Sequence, residues 1–387
     1  MRVTARGTGR WPARILLAGA AWLLLGGCAS VGYYAHMARG QVALLVHRRP
    51  IERVLRDPST TPALARRLRL ALAARRFASA ALDLPDNRSY TLYVALDRPY
   101  VVWNVFATPP FSVDAVPQCF PIAGCVAYRG FFSQARALAD AEALRRRGDD
   151  VEVGGVSAYS TLGWFADPIL SSMLAQDDDD ALAATIFHEL AHQKLYVEGD
   201  TQFNESFATF VQRQGLRQWR ATRGLPPPDD RATRMDEGFT ALVLDLRQRL
   251  AKLYAAPAFR ADDHAAKLAA KAAAIEAFRR RYAAWRDRQW PGDHRYDAWV
   301  AAPINNASLL GFGLYDGWMP GFAALFAQAH GQWPAFFRRV RALASLPKAR
   351  RDAELAALSS AQPTLSRDRR LLVADCEIHA KETACGH

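Results

Sequence analysis

Two histidines and a glutamate share one short segment of the chain, His188-Glu189-Leu190-Ala191-His192. On a helix the two histidines are four residues apart, so their imidazoles project from one face, about one turn from each other. Two nitrogens at that separation can bind a single Zn²⁺ as neighbouring corners of a tetrahedron. Glu189 is then placed to take a proton from a water molecule as a general base and to pass it to a leaving amine. This segment predicts one zinc ion and hydrolytic chemistry.

Two histidines leave a catalytic zinc one protein ligand short. The candidates are Glu198, Asp200 and Glu205, and Glu205 follows His192 by thirteen residues. Glu198 and Asp200 lie too near a turn to return to the histidine face, so Glu205 is the preferred third ligand. Asn204 is expected to orient the returning helix or to bond near the metal. Asp200 is expected to accept a hydrogen bond from a histidine N–H.

Two helices joined by a turn are required to bring these side chains together. The acidic run Asp177 to Asp180 favours the start of a helix near Ala181, because negative charge stabilises a helix N-terminus. Gly199-Asp200 marks a turn, and residues 204–214 show helical periodicity. A second helix that returns antiparallel places Glu205 against the histidine pair.

The N-terminus has the pattern of a secretory signal. Four arginines precede an apolar run from Ile15 to Leu25, which ends in Leu25-Gly26-Gly27-Cys28. The run is too short to span a bilayer comfortably. The small residues before Cys28 resemble the bacterial lipobox, in which the signal is cut before the cysteine and the thiol carries the lipid. The alternative is an uncleaved helix with a chance cysteine. Ala29 is not the aspartate associated with inner-membrane retention, so an outer-membrane lipoprotein facing the periplasm is expected.

The four other cysteines form two close pairs, Cys119 with Cys125 and Cys376 with Cys385. Such spacing suits local disulfides in an oxidising compartment. The competing interpretation is one zinc site made by all four thiolates, but the CxxC pattern of such sites is absent.

The formal net charge is +12, yet the arginines do not form one basic block. They occur singly and in short runs, such as Arg145 to Arg147, within helix-like segments. No nucleic-acid-binding module accompanies the charge, so no nucleic-acid partner is expected. Attraction to an anionic membrane surface fits the charge better.

The remaining sequence predicts an α+β fold that is predominantly helical. Residues 88–170 are rich in aromatic and β-branched residues and predict a small, mostly antiparallel sheet with one helix from about Ser133 to Arg147. Beyond Asp177 the chain is nearly all helix, with a long antiparallel hairpin over residues 232–255 and 261–288. The predicted segments are a signal peptide (1–27), an N-terminal helical segment (28–85), a core with the sheet and the site helices (86–222) and a C-terminal helical region (223–387).

Weaker candidates surround the histidine motif. The stretch GGVSAYSTLGWF, residues 154–165, is either an edge strand that pairs with an extended peptide or an interior strand. As an edge strand it makes Tyr159 and Ser160 substrate-binding candidates. Asn305 and Asn306 can bind a peptide backbone, although two asparagines after a proline also suit a helix cap.

Peptide hydrolysis also needs a donor to the oxyanion that develops in the transition state. Tyr315, Tyr159 and Tyr196 are candidates, and Tyr315 is preferred as the catalytic tyrosine.

His188-Glu189-Leu190-Ala191-His192 followed by Asn204-Glu205-Ser206-Phe207-Ala208 resembles the gluzincin metallopeptidases, which include thermolysin-type and aminopeptidase N-type enzymes. The whole chain more closely resembles a family of bacterial lipoproteins predicted to be aminopeptidases. The matching stretches lie within residues 82–215 and include CFPIAGCVAYRGFF and VGGVSAYSTLGWFADPIL, with weaker similarity at NNASLLGFGLYDGWMPGFAALF. The chain lacks the GxMEN-like strand of aminopeptidase N-type enzymes.

The resemblance implies a zincin-like catalytic core and a membrane-anchored zinc metallopeptidase that hydrolyses peptides or unfolded proteins in the periplasm. The alternative is a zinc-binding periplasmic chaperone or envelope assembly lipoprotein without hydrolytic activity. The expected partners are a peptide substrate and, through the lipid on Cys28, the membrane; the sequence does not indicate an oligomeric state.

Overall fold

The computed structural model describes residues 31–120, 124–175, 178–312 and 317–360. The structure is 62% helical with 9% strand in small sheets, which confirms the predicted, predominantly helical α+β fold. The thirteen helices of the described residues are α1 (31–46), α2 (Ile51–Arg56), α3 (Pro62–Leu82), α4 (Gln134–Arg146), α5 (Asp179–Lys194), α6 (Thr201–Thr222), α7 (Asp230–Ala255), α8 (Pro257–Ala261), α9 (His264–Gln289), α10 (Asp297–Ala301), α11 (Met319–Gln328), α12 (Trp333–Ala344) and α13 (Lys348–Ser360). Two short 3-10 helices are Ser171–Leu174 and Ala307–Leu309.

Side-chain caps fix the starts of the helices that matter most for the site. Asp178 caps α5 and accepts hydrogen bonds from the backbone N–H groups of Asp180 and Ala181, at 2.9 and 3.0 Å. The acidic start predicted for this helix is therefore present. Ser133 caps α4, within one residue of the predicted start. The helices α7 and α9 pack against each other as the predicted hairpin.

The strands form three small sheets rather than one. They are β1 (Arg49–Pro50), β2 (Leu92–Val94), β3 (Val102–Thr108), β4 (Gln118–Phe120), β5 (Gly124–Val126), β6 (Tyr128–Phe131), β7 (Asp150–Val156) and β8 (Ile169–Leu170). One sheet has the antiparallel order β6-β3-β7. A second has the order β1-β2-β8, in which β2 and β8 are parallel, and β8 leads through a 3-10 turn toward α5.

The strands β4 and β5 form an antiparallel hairpin in which Cys119 and Cys125 lie opposite each other and form a disulfide. This confirms the first predicted cysteine pair. Cys376 and Cys385 lie outside the described residues, as do Cys28 and the predicted signal segment.

Three hydrophobic cores hold these elements together. The main core runs from Leu44 to Leu355 and includes residues of α3, α5, α6 and α11 to α13. A second core joins α7, α8 and α9 to residues 300–309, and a third lies between α4 and the sheet of β3. The main core thus contains residues of all three predicted segments beyond the signal, and the segment boundaries remain a prediction.

Among the described residues, none of the helices combines the length and the apolar character needed to cross a bilayer.

Candidate metal centre and active site

Helix α5 carries the histidine motif with one side fixed in the main core. Ile186, Phe187, Leu190 and Ala191 are fully buried there. The Phe187 ring packs against Phe77 and Trp219, with ring centroids 5.8 and 6.5 Å apart. The apolar residues within and beside the motif therefore anchor α5, and the polar side of the helix is left for the site.

The turn after α5 brings α6 back along it. Gly199 adopts the left-handed conformation, at φ 75°, where glycine has no side chain to clash. Asn204 holds the turn, because its side-chain oxygen accepts from the Val197 N–H at 2.8 Å and its amide donates to the Val197 carbonyl at 2.7 Å. Gly215 lets α6 approach α5 closely, since an added Cβ would lie 3.1 Å from the Phe187 ring. The predicted role of Asn204 in orienting the returning helix agrees with these contacts.

His188, His192 and Glu205 converge where α5 and α6 meet. The two Nε2 atoms lie 3.2 Å apart, and Glu205 Oε2 lies 3.2 Å from His188 Nε2 and 3.7 Å from His192 Nε2. Adjacent ligand atoms around a tetrahedral zinc, with metal–ligand distances near 2.0–2.1 Å, are separated by about 3.3–3.4 Å. The triangle therefore has the dimensions of one face of a zinc coordination tetrahedron.

A hydrogen bond on the far side of the first imidazole orients it. His188 Nδ1 lies 3.0 Å from Gln212 Oε1. An amide oxygen only accepts, so Nδ1 carries the proton and Nε2 presents its lone pair to the triangle. The buried Nδ1 of His192 meets no hydrogen-bond acceptor in the described part of the chain. The Nε2 atoms of His188 and His192 both face Glu205 and each other. This arrangement suits a cation bound by all three side chains better than it suits direct hydrogen bonds between two neutral imidazoles.

The charge state of Glu205 also suits a cation site. Burial raises its pKa, but the two adjacent imidazoles of His188 and His192 outweigh burial and hold the pKa well below its usual range. Its side chain is 21% exposed. Glu205 is therefore an ionised carboxylate at neutral pH, aimed between two imidazoles.

Glu189 differs from Glu205 although the two carboxylates are near each other. Burial away from water raises the pKa of Glu189 to about 7. The neighbouring His188 opposes this shift, and the charges of Glu205 and Asp167 add to it. No hydrogen bond or ion pair engages the Glu189 carboxylate among the residues that the structure describes. A carboxylate of near-neutral pKa and without a fixed partner is suited to accept a proton and to return it.

The family model described as "Putative aminopeptidase" matches residues 32–355, which is most of the chain. The chain belongs to this family. Membership supports a peptidase function and agrees with the family-level resemblance seen in the sequence. No curated protein and no solved structure gives a significant match to the chain.

Two tyrosines, Tyr196 and Tyr128, lie near the candidate metal ligands. The Tyr196 ring packs edge-on against His192, with centroids 6.4 Å apart. Burial raises its pKa, and the charges of Glu205 and Glu198 raise it further. Tyr128 on β6 behaves in the same way, because burial and the charges of Glu205, Tyr196 and Glu189 raise its pKa. Both phenols keep their protons at neutral pH and can donate.

Four residues of the site were missed from the sequence: Gln212, Asp167, Gln193 and Tyr90. Gln212 lies seven residues after Glu205, two turns along the same face of α6, and that spacing was an available signal. Buried Asp167 accepts a hydrogen bond from Gln193 Nε2 at 3.1 Å. Tyr90 donates its N–H to the Asp167 carbonyl at 2.6 Å and adopts a left-handed conformation, at φ 63°. The contacts of Asp167, Gln193 and Tyr90 join segments that are distant in the chain, so no periodic pattern in the sequence indicates them.

The structure places Asp200 differently from the prediction. Its carboxylate caps α6 through the Phe203 N–H and pairs with Arg351 Nη2 at 2.6 Å and with Lys348 Nζ at 3.3 Å. It is buried, so it takes the strongest donors available, which come from α13. The hydrogen bond expected from a histidine N–H to Asp200 is therefore not formed. The Nδ1–H of His188 donates to Gln212 Oε1 instead.

The two asparagines predicted to bind substrate also have structural contacts. Asn306 is fully buried: its amide donates to the Pro110 carbonyl at 3.0 Å and its side-chain oxygen accepts from the Tyr254 hydroxyl at 2.9 Å. Asn305 accepts from the Ser308 N–H as a cap and donates to the Val151 carbonyl at 3.2 Å. These bonds join the helical hairpin to β7, and they correct the expectation that Asn305 and Asn306 bind a peptide.

The remaining predicted site residues are Tyr159, Ser160 and Tyr315. Ser160 Oγ accepts from the Leu162 N–H at 3.2 Å, and Tyr159 packs edge-on against Phe132 in the main core. They follow β7, which lies at the edge of its sheet, as in the first of the two alternatives. Tyr315 lies outside the described residues, so its catalytic role remains a prediction.

Proposed function

We propose that this chain is a zinc-dependent peptidase of the gluzincin type, acting as an aminopeptidase on peptides or unfolded proteins. The observation that carries the proposal is the triangle of His188 Nε2, His192 Nε2 and Glu205 Oε2, with edges of 3.2, 3.2 and 3.7 Å. The family membership supports the peptidase part of the proposal.

His188, His192 and Glu205 would hold the ion. When bound, a zinc ion lowers the pKa of water toward neutrality and polarises a carbonyl group. Glu189 takes the proton of the attacking water, because its pKa near 7 leaves a substantial ionised fraction at neutral pH. The same group, once protonated, donates to the nitrogen of the leaving amine.

The hydroxyl that donates to the developing oxyanion is proposed to come from a tyrosine at the site's border. Tyr315 is the preferred candidate for this donor on the basis of the sequence. Tyr196 is the described alternative, because its ring contacts His192 and its hydroxyl stays protonated. A donor of this kind contributes roughly 100- to 1000-fold in kcat when it acts on the transition state.

The unpaired edge of β7 is the proposed guide for an extended peptide. Among the described strands, β3 alone pairs with β7, and Asn305 covers the outer edge of β7 at Val151. The opposite end of β7 continues into Tyr159 and Ser160. A substrate strand added along this edge would run toward the metal centre.

The location of the enzyme is proposed from the N-terminus. Lipidation at Cys28 would tether the mature chain to a membrane of the bacterial envelope, with the outer membrane and a periplasmic orientation preferred. Helix α1 is already formed at residue 31, so a lipid on Cys28 would lie within three residues of the folded protein.

Glu189→Gln separates the enzyme from a non-hydrolytic zinc protein. The amide cannot accept the proton, so the variant should bind one zinc per chain and lose hydrolysis of a fluorogenic peptide library by about 100-fold or more. Glu198→Gln is the matched control, since Glu198 is exposed and lies outside the triangle; it should keep both zinc and activity.

His188→Ala should lose the zinc as well as the activity. Zinc content that does not change in His188→Ala would refute the metal centre. Full hydrolysis by Glu189→Gln would remove Glu189 from its role. Zinc binding by wild-type protein without hydrolysis of any library peptide would favour the chaperone alternative.

A further inference from the structure

The loop that leads from β7 toward α5 exposes two adjacent aromatic side chains. Trp164 is 69% exposed and Phe165 is 45% exposed, and among the described residues Trp164 is the most exposed aromatic side chain. No charged residue occurs from Ala158 to Ala166. The surface formed by Trp164 and Phe165, here called the aromatic turn, therefore carries no charged side chain of its own, and the nearby Arg48 guanidinium donates to the Ala166 carbonyl at 2.9 Å. Contact with an apolar ligand would remove the two rings from water.

The aromatic turn is held in one conformation. The Trp164 N–H donates to the Thr161 carbonyl at 3.1 Å, and the Phe165 N–H donates to Thr161 Oγ1 at 3.1 Å. Leu162 and Gly163 both adopt positive φ, at 55° and 85°. Leucine adopts that conformation only at an energetic cost, so surrounding bonds must impose it. A rigid turn presents its side chains without an ordering cost on binding.

The same turn is attached to the helix of the metal centre through a buried carboxylate. Asp167 accepts from the Thr161 N–H at 3.1 Å and from Thr161 Oγ1 at 2.7 Å. It also accepts from Gln193 Nε2 at 3.1 Å. The position of a Cβ on Gly163 would lie 3.6 Å from Gln193 Oε1, so the turn rests directly on the Gln193 side chain.

Gln193 fixes where the aromatic turn lies relative to Glu189. It is the residue after His192 and is four residues after Glu189, so Gln193 and Glu189 share one face of α5. Asp167 is close enough to influence the charge of Glu189. The aromatic turn is therefore fixed to the side of α5 that carries Glu189, the proposed general base.

We propose that Trp164 and Phe165 form a subsite for a large apolar side chain of the peptide substrate. The inference rests on the proposed peptidase function and adds a substrate class to it. The preferred substrates are then peptides with Phe, Leu or Trp near the scissile bond. Such side chains are buried in folded proteins, so unfolded chains and fragments are the natural source. The uncharged surface and its position beside Glu189 favour a peptide over a charged ligand.

The test compares two fluorogenic peptides that differ only in Leu or Ser near the cleaved bond, with the zinc-loaded full chain. Wild-type protein should prefer the Leu peptide in kcat/KM by about 10-fold or more, as expected for apolar contacts in a specificity pocket. Trp164→Ser and Phe165→Ser should each reduce that ratio several-fold. Leu268→Ser is the matched control, because Leu268 is a 46% exposed apolar residue of α9 in the helical hairpin.

A second measurement does not depend on catalysis. Binding of the labelled Leu peptide to Glu189→Gln protein is followed by fluorescence anisotropy, with and without Trp164→Ser. Weaker binding by about 5-fold or more in the double variant supports the subsite. If wild-type protein cleaves neither peptide, the proposed function fails, and this measurement still decides whether the aromatic turn binds peptide.

Three results would overturn the inference. The first is that Trp164→Ser and Phe165→Ser cleave both peptides with the same preference for the Leu peptide as wild-type protein. That result would leave the peptidase proposal intact. The second is equal binding by the single and double variants. The third concerns co-sedimentation of the protein with phosphatidylglycerol vesicles. If Trp164→Ser no longer sediments with the vesicles but keeps the wild-type peptide preference, the aromatic turn contacts a membrane instead of the substrate.

Discussion

Replacement of Gln212 by leucine tests whether the orientation of His188 sets the affinity for zinc. Leucine has a similar volume but no acceptor, so His188 Nδ1–H loses the partner that lies 3.0 Å away. The His188 side chain is only 12% exposed, so water can replace the lost oxygen only in part. Leaving a mostly buried donor unsatisfied costs about 1–3 kcal/mol.

We place the expected effect near the lower half of that range, at about 1.5 kcal/mol, because some water access remains and Nε2 itself is untouched. Since about 1.4 kcal/mol corresponds to a tenfold change in an equilibrium constant, Gln212→Leu should raise the dissociation constant for zinc about tenfold. This agrees with the 10- to 100-fold losses that follow removal of a hydrogen-bond partner from a ligand histidine.

The assay is competition with a chromogenic zinc chelator at neutral pH. Gln212→Glu keeps an acceptor at the same position, so it should bind zinc at least as tightly as wild-type protein. Gln214→Leu makes the same substitution two residues further along α6 and should leave the affinity unchanged. An affinity within twofold of wild type in Gln212→Leu, or an equal loss in Gln214→Leu, would refute the role given to Gln212.

Three further predictions concern stability and metal removal. Arg351→Met should lower the free energy of unfolding by about 3 kcal/mol in urea denaturation. The variant leaves buried Asp200 with the more exposed Lys348 as its remaining charged partner among the described residues. Burial raises the pKa of Asp200, but Arg351, the Phe203 N–H and Lys348 lower it further. The folded protein thus favours the ionised form of Asp200. Wild-type protein should therefore be more stable to unfolding than Asp200→Asn. This difference in the free energy of unfolding should be complete above roughly pH 4 and should shrink as the pH falls through the folded-state pKa of Asp200. Dialysis against a zinc chelator should abolish hydrolysis and lower the melting temperature, and zinc at 100 times its dissociation constant should restore about 2.7 kcal/mol.

The helices of the site were predictable because their signals are local. The acids before Ala181, the four-residue histidine spacing and the Gly199-Asp200 turn each act within one or two helical turns. The structure starts α5 at Asp179 and α6 at Thr201, and the thirteen residues from His192 to Glu205 span the turn. The Cys119–Cys125 disulfide and the α7–α9 hairpin were predictable for the same reason.

What the sequence did not reveal depends on contacts between distant segments. Arg351 reaches Asp200 from 151 residues away, and neither helix carries a pattern that identifies its partner. The parallel pairing of β2 with β8 likewise joins residues 92–94 to residues 169–170. Asn306 was a candidate for binding a peptide backbone or for capping a helix, but its segment packs between α7 and β7 and buries it. Propensity and periodicity describe one element at a time, and these roles arise where elements meet.

Helix α6 links the metal centre to the C-terminal helices, so the C-terminal region takes part in the site. Its first turn is fixed by the buried Asp200–Arg351 pair, and its buried face packs Phe203 and Phe207 against Phe322 of α11, at ring separations of 5.4 and 5.8 Å. Glu205 lies between these two residues in sequence, and the two-residue spacing places it on the opposite side of α6 from their rings. A shift of α6 along its axis would therefore move the carboxylate away from the two imidazoles before it disturbed the histidines on α5. Loss of the α6–α11 contacts should weaken the third ligand first and leave the histidine pair in place.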